Sequence, residues 1–251
     1  MKYVKLFVWL LFILWPGHMI LADTVPDLEK AKALLEESDL SRGNVSGIVW
    51  DIDIKSESDG DIQENTLQVL VKGSNSLAVY QSPSKVKGRK LLMKDRNMWF
   101  IKPGLSKPVP ISPRQKLLGG ASNGDIASTN YAGDYTIEGV TNETLNQEDC
   151  LVFDLKAKNK TVTYDRIKYW VSKDKQVGLK AEFYTLSGKM FKTAFFEYGH
   201  TLKINDKERP FVSRMTIINA MLETDKTVMD YDNIVIKDIS ASSFNLNLLV
   251  K

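Results

Sequence analysis

Between residues 46 and 238 the sequence is a series of short apolar-rich segments cut by polar turns, and many of these segments are apolar on both faces. The stretch GRKLLMKDRNMWFIKPG, residues 88–104, shows the problem in miniature. Residues 90–94 and 98–102 read as two strands joined by a tight turn at Asp95–Asn97. Side chains alternate across a strand, so a hairpin with one wet face alternates apolar with polar. Here Leu91, Leu92 and Met93 run together, and so do Met98, Trp99, Phe100 and Ile101. Residues 189–198 repeat the feature, with Met190, Ala194 and Phe196 on one face and Phe191 and Phe195 on the other. A lone sheet does not tolerate this. A sheet curled around helices on its concave side, or around a cavity, does.

The remaining strands are expected over residues 46–54, 66–72, 76–81, 135–140, 149–157, 167–172, 177–186, 211–218 and 226–238, linked by the turns KGSN, KDKQ, SGK and NDKE. Hairpin turns at such spacing indicate an antiparallel meander. One long helix precedes it. Thr24, Pro26 and Asp27 fit a capping start, Leu28, Ala31, Leu34 and Leu35 fall on one stripe, and Gly43 offers a left-handed stop. Residues 103–134 hold four of the eight prolines and leave the sheet. Within them SPRQKLLGG reads as a short lid-like helix with Pro113 in its first turn and Gly119 after it.

Residues 1–22 pair a basic start, MKYVK, with the apolar run LFVWLLFILW and read as an export leader. Residues 23–251 then form a single domain. Without Lys2 and Lys5 the formal charge of +3 falls to about +1, which argues against nucleic acid as a partner. Cys150 is the only cysteine, so no internal disulfide forms. Beyond residue 22 the sole histidine is His200, which removes Ser-His-Asp, Cys-His and multi-histidine metal sites together. The acidic run DIDIKSESDGDIQE places Lys55 where a calcium loop needs an acid and reads as a solvated hairpin loop. No carboxylate pair stands out by spacing, and no G-x-S-x-G elbow or phosphate loop is present. Neither an enzyme nor a cofactor is expected.

LLEESDLSRG at the end of the first helix, GRKLLMKDRNMWFIKPG, VPISPRQKLLGGASNGDIA and the closing stretch from FVSRMTIINAM to FNLNLL together resemble the bacterial outer-membrane lipoprotein-sorting family, relatives of the periplasmic carrier LolA. The resemblance spans the chain beyond the leader. It implies a mainly β fold: an open, strongly curved antiparallel half-barrel whose concave face is covered by the N-terminal helix and the short lid helix. It implies a periplasmic monomer that binds acyl chains of lipoprotein or free lipid in an apolar cavity and passes them toward an outer-membrane acceptor. Relatives are often associated with RND-type inner-membrane exporters, and the other reading is an accessory partner of such an exporter with no ligand-filled cavity. Leu34, Trp50, Leu70, Leu92, Trp99, Ile101, Leu117, Tyr169, Phe183 and Phe196 are the expected lining. Either Trp99 and Ile101 or Met98 and Phe100 point inward. Of Arg42, Arg89, Arg96 and Arg114, the family's lid-locking arginine is best matched by Arg114, whose guanidinium could tie the lid to a backbone carbonyl.

Overall fold

The computed structural model describes residues 27–250 apart from 106, 128 and 223. The expected leader, Thr24 and Pro26 lie outside the described residues. Helix α1 (Leu28–Leu40) starts on Asp27, whose carboxylate accepts the Glu29 N–H and satisfies one of the orphan donors of the first turn. Ala31 and Leu35 are buried, but Leu28 is 57% exposed, so the buried stripe begins one turn later than expected. Gly43 closes the helix at φ +93°, and a Cβ there would stand 2.2 Å from the Trp50 ring. Backbone conformation and ring contact both demand glycine.

The strands follow in chain order: β1 (Ile48–Ser58), β2 (Asp61–Lys72), β3 (Asn75–Ser82), β4 (Lys90–Lys94), β5 (Asn97–Ile101), β6 (Val109–Ile111), β7 (Lys116–Leu118), β8 (Ala121–Ser122), β9 (Tyr135–Leu145), β10 (Glu148–Ala157), β11 (Arg166–Ser172), β12 (Gly178–Tyr184), β13 (Met190–Glu197), β14 (His200–Ile204), β15 (Lys207–Phe211), β16 (Arg214–Asn219) and β17 (Lys226–Ile236). Thirteen of them form one antiparallel sheet in the order β6-β5-β4-β3-β2-β1-β17-β16-β13-β12-β11-β10-β9. The sheet is curved and does not close into a barrel, so β6 and β9 remain its edges. Residue pairs with positive φ, such as Asp95–Arg96, Asn146–Gln147 and Asn205–Asp206, make the tight turns whose twist suits hairpins. The acidic run is itself such a hairpin, turning at Asp59–Gly60 between β1 and β2. The hairpin β14–β15 was not expected.

One apolar cluster collects residues from both halves of the sheet, including Leu91 and Met98 near one edge and Phe153 and Leu155 near the other. Only the concave face can bring these together. Helix α1 packs there through Ala31, Leu34 and Leu35. The convex face has its own cover. After β17 the chain turns back as a 3-10 turn, Ala241–Phe244, and the single-turn helix α3 (Leu246–Leu249). Ile239 and Phe244 join Leu77, Leu92 and Ile101 in a second cluster, with Trp99 and Leu70 packed against it. Lys72 Nζ fastens this segment by donating to the Ile239 carbonyl at 2.8 Å, and Lys90 Nζ donates to that of Leu249 at 3.1 Å.

The expected helix within SPRQKLLGG is not formed. Lys116–Leu118 is strand β7, paired with β8. The carbonyls of Pro113 and Gln115, which a helix would use, accept instead the N–H groups of Gly124 at 3.0 Å and Asn123 at 2.9 Å. Gly119, at φ +53°, turns the chain where a Cβ would lie 2.0 Å from the Ser56 hydroxyl. Residues 103–134 do not all leave the sheet as expected, because Val109–Ile111 is its edge strand β6. The lid that follows is looped, with a 3-10 turn at Asn123–Ile126 and the single-turn helix α2 (Tyr131–Asp134) at its end.

Candidate functional site

The concave wall is built by alternate residues of successive strands. Trp50 from β1, Tyr169 from β11, Phe183 from β12 and Phe196 from β13 all face it. They touch one another or their neighbours. Trp50 lies 6.0 Å from the rings of Phe211 and Tyr231, Tyr169 lies 5.0 Å from Tyr131 and 6.2 Å from Phe196, and Tyr164 lies 4.0 Å from Phe183. Of the ten expected lining residues, Leu34, Trp50, Leu117, Tyr169, Phe183 and Phe196 share this cluster. Leu70, Leu92, Trp99 and Ile101 do not: they face the C-terminal segment on the convex side. The register settles the parity of the β4–β5 hairpin. Leu91 pairs with Phe100 and Met93 with Met98 on the concave side, while Leu92 pairs with Trp99 on the convex side.

The lid is fastened over this wall by polar contacts. Arg114 donates from Nε to the Val162 carbonyl at 2.9 Å and from Nη1 to Asp165 at 2.5 Å, tying the lid to the β10–β11 connection. The Gly120 N–H donates to Thr227 Oγ1 at 2.8 Å. The Thr129 N–H donates to the Arg42 carbonyl at 3.2 Å, and the Ala132 N–H to Asp39 Oδ2 at 2.9 Å. Arg96, in the β4–β5 turn near one sheet edge, pairs with Asp134 at the entry to the other edge strand, β9. The lid seam thus joins the two margins of the open sheet.

Two buried charges lie under the lid. Lys192 is 4% exposed and donates to the Gly120 carbonyl at 2.8 Å, Ser122 Oγ at 3.3 Å and Asp125 Oδ2 at 3.2 Å. Asp125 also accepts the Tyr164 hydroxyl at 2.6 Å. Burial holds Lys192 below the usual lysine range, and Asp125 opposes that shift. Arg42, 7% exposed, lies over the Phe196 ring at 4.0 Å and the Tyr131 ring at 5.3 Å. One turn back in α1, burial pushes Asp39 up to about 7, against the pull of two backbone N–H groups and of Arg42. Sequence reasoning missed Asp39, Asp125 and Lys192. The signal was present for Lys192, which shares the inward parity of Ala194 and Phe196 on β13, although Met190, expected on the same face, is exposed. A lysine on an apolar face is rarely idle.

Between the lid, the β10–β11 connection and the β4–β5 turn lies a cavity of about 60 Å³, bordered by Arg42, Arg96, Asp125, Tyr131, Asp134 and Tyr164. Drug-sized ligand pockets run from roughly 300 to 1,000 Å³. The space between wall and lid is otherwise filled by the protein's own side chains. Among the described residues no group of three His, Cys, Asp or Glu is placed to hold a metal ion, and no helix is long and apolar enough to cross a membrane.

A family model described as an uncharacterized protein matches residues 72–251. A LolA superfamily protein from Nitrosomonas europaea is similar at 31% identity and a TM-score of 0.78, covering 87% of this chain and 98% of its own. A putative outer-membrane lipoprotein-sorting protein domain from Vibrio parahaemolyticus, 18% identical, gives a TM-score of 0.74 over 90% of this chain and 100% of its own. A DUF1329 family protein from Desulfovibrio piger, 22% identical, gives 0.71 over 91% of this chain and 100% of its own. No curated protein matches in sequence.

Proposed function

We propose, from the premise that this chain belongs to the LolA superfamily, that it is a non-enzymatic periplasmic carrier of acyl chains, borne by lipoprotein or free lipid, which it passes toward the outer membrane. The observation that carries this reading is the union of an apolar concave wall with a lid held by polar contacts. Such a lid can part from the wall without unfolding the sheet beneath it. A guest chain then takes the place of the lid's apolar side chains, among them Leu117 and Ile126, which pack against the wall in the closed form. Each CH₂ moved from water to such a wall is worth about 0.8 kcal/mol, so a sixteen-carbon chain supplies on the order of 10 kcal/mol before ordering and lid opening are subtracted. The basic and apolar start of the chain supports export to the periplasm.

The filled interior favours a second reading, an accessory that docks on an RND-type exporter and never takes a guest. One experiment separates them. Delipidated protein is titrated with a fluorescent fatty acid and a fluorescent lipopeptide, then mixed with acceptor vesicles. Saturable binding at one guest per chain, followed by transfer, is the expected result. Failure to bind either probe rejects the carrier and leaves the accessory.

A further inference from the structure

Under the lid the apolar interior gives way to a small polar cavity bordered by a guanidinium with an unpartnered nitrogen. We infer that the small cavity there receives an oxyanion, a carboxylate or phosphate joined to an acyl chain, with Arg42 as the receiving cation. The inference rests on the carrier reading and deepens it by naming the chemistry of the guest's polar end.

Arg42 and Arg96 border the cavity, and Lys192 reaches Asp125 on its margin. Arg96 is paired with Asp134, and Lys192 with Asp125 and the Gly120 carbonyl. Arg42 differs. Its guanidinium is buried on the faces of Phe196 and Tyr131, yet Nη1 has no hydrogen-bond partner among the described residues. The rings attract the cation, and the Tyr131 and Tyr169 hydroxyls interact with it electrostatically, but none makes a hydrogen bond of good geometry to Nη1. A buried donor left unmade is destabilising, and a buried charge more so. Of the six buried side-chain atoms left unpartnered among the described residues, this one alone belongs to a residue bordering the cavity.

The acid nearest to Arg42 in sequence is a weak counter-ion. Asp39 receives the Ala132 N–H, and its pKa of about 7 leaves it half-protonated at neutral pH. Asp125 and Asp134 also border the cavity but are already engaged, the first by Lys192, Tyr164 and the Ser122 N–H, the second by Arg96. The two carboxylates that border the cavity are therefore committed to Arg96 and Lys192, and neither is hydrogen-bonded to Arg42. The volume of about 60 Å³ suits the head of an amphiphile, not its tail. A guanidinium offers two parallel donors to the two oxygens of a carboxylate or phosphate, whereas an alcohol presents a single neutral oxygen.

The test uses the full chain without its leader, delipidated, at pH 7.5 and below the micelle concentrations of the probes. Calorimetric titrations compare dodecanoate, dodecyl phosphate, dodecanol and inorganic phosphate. At least one anionic amphiphile is expected to bind tenfold or more tightly than dodecanol, and which of the two does so identifies the head group. Arg42→Met is expected to bring the anions to within about twofold of dodecanol while leaving dodecanol unchanged, and Arg42→Lys to restore part of the difference. Equal binding of dodecanol and both anions by the unsubstituted protein overturns the inference and leaves the carrier standing, and it needs no folded variant. Binding of inorganic phosphate alone, lost in Arg42→Met, also overturns it, because the site then serves a free anion. Absence of binding by all three amphiphiles rejects the carrier reading and the inference together.

Discussion

Replacing Lys192 by methionine keeps the length and apolar stem of the side chain and removes its charge. The structure fixes what is lost: the contacts to the Gly120 carbonyl, Ser122 Oγ and Asp125, all reaching from the sheet into the lid. Asp125 is left with its side chain 6% exposed and without its cation. Removing one partner of a buried pair costs about 3–5 kcal/mol, because the other charge stays behind uncompensated. At 1.36 kcal/mol per decade this is roughly a 10²- to 10⁴-fold rise in the open population. Native-state hydrogen exchange reads where that loss falls. The amides of Gly120, Asn123 and Gly124, all bonded within the lid or across it, are expected to lose protection by that factor. Amides of the central ladder, such as those of β1 and β17, are expected to keep theirs. The double variant Lys192→Met, Asp125→Asn strands no charge and should recover most of the loss. Uniform loss of protection through the sheet would show that the lid is no separate unit, and unchanged lid exchange would show that Lys192 does not hold it.

Asp39 gives the fold a pH signature. The folded protein holds its proton up to about pH 7, while the unfolded chain releases it near 3.8. In that window the native state binds more protons, so this group's contribution to stability is lost as pH rises, by about 4 kcal/mol in all. Asp39→Asn keeps an acceptor for Ala132 and should remove that slope, becoming more stable than the parent at pH 8. Parallel urea curves for the two proteins from pH 5 to 8 would dispose of the idea. On the convex side, Phe244→Ala should cost about 3 kcal/mol in urea unfolding and red-shift the Trp fluorescence, since Trp99 packs on that cluster. Phe195→Ala, at a residue 41% exposed on the same sheet, should stay within about 0.5 kcal/mol. A loss at Phe244 no larger than at Phe195 would mean that the C-terminal segment is not a structural cover.

Most of the meander was legible because its turns are local. Asp95–Arg96 and Asn146–Gln147 occupy left-handed conformations that polar turn residues tolerate, and period-two patterning fixed the strands between them. What failed was non-local. The stretch Arg114–Leu118 has good helix formers, but Gly119 and the cross-strand acceptors of Pro113 and Gln115 make it a hairpin. The strands of β14–β15 were hidden by Pro210, which sits within β15 of a separate two-stranded pair where no central ladder bond is required. The two-faced β4–β5 hairpin was read as the sign of one large interior. Half of that signal belongs to the C-terminal segment, because Leu92, Trp99 and Ile101 were matched to Ile239, Phe244 and Leu249 on the outside. Periodicity shows that a face is apolar. It does not show which distant segment covers it.

The distribution of buried polarity separates the sheet from its lid. Along the central strands the buried side chains of Ile48, Ile52, Leu67, Val69 and Ile217 contribute apolar packing, whereas Asp39, Arg42, Asp125 and Lys192 all stand where the lid meets the wall. Apolar packing is non-directional and is lost gradually as surfaces part, but a charge-assisted hydrogen bond is made or broken over about an ångström. In the carrier reading a seam of such bonds would give the lid two discrete positions instead of a continuum of partial openings. The ten polar contacts named above, at about 1 kcal/mol each, total on the order of 10 kcal/mol. That is the same order as the gross gain from burying a sixteen-carbon chain. In the carrier reading the two states differ little in free energy, and an acceptor that binds the chain more tightly sets the direction of transfer. A lid sealed mainly by large apolar side chains would have matched the guest in chemistry as well as in energy, and nothing in it would have distinguished a charged head from a hydrocarbon tail.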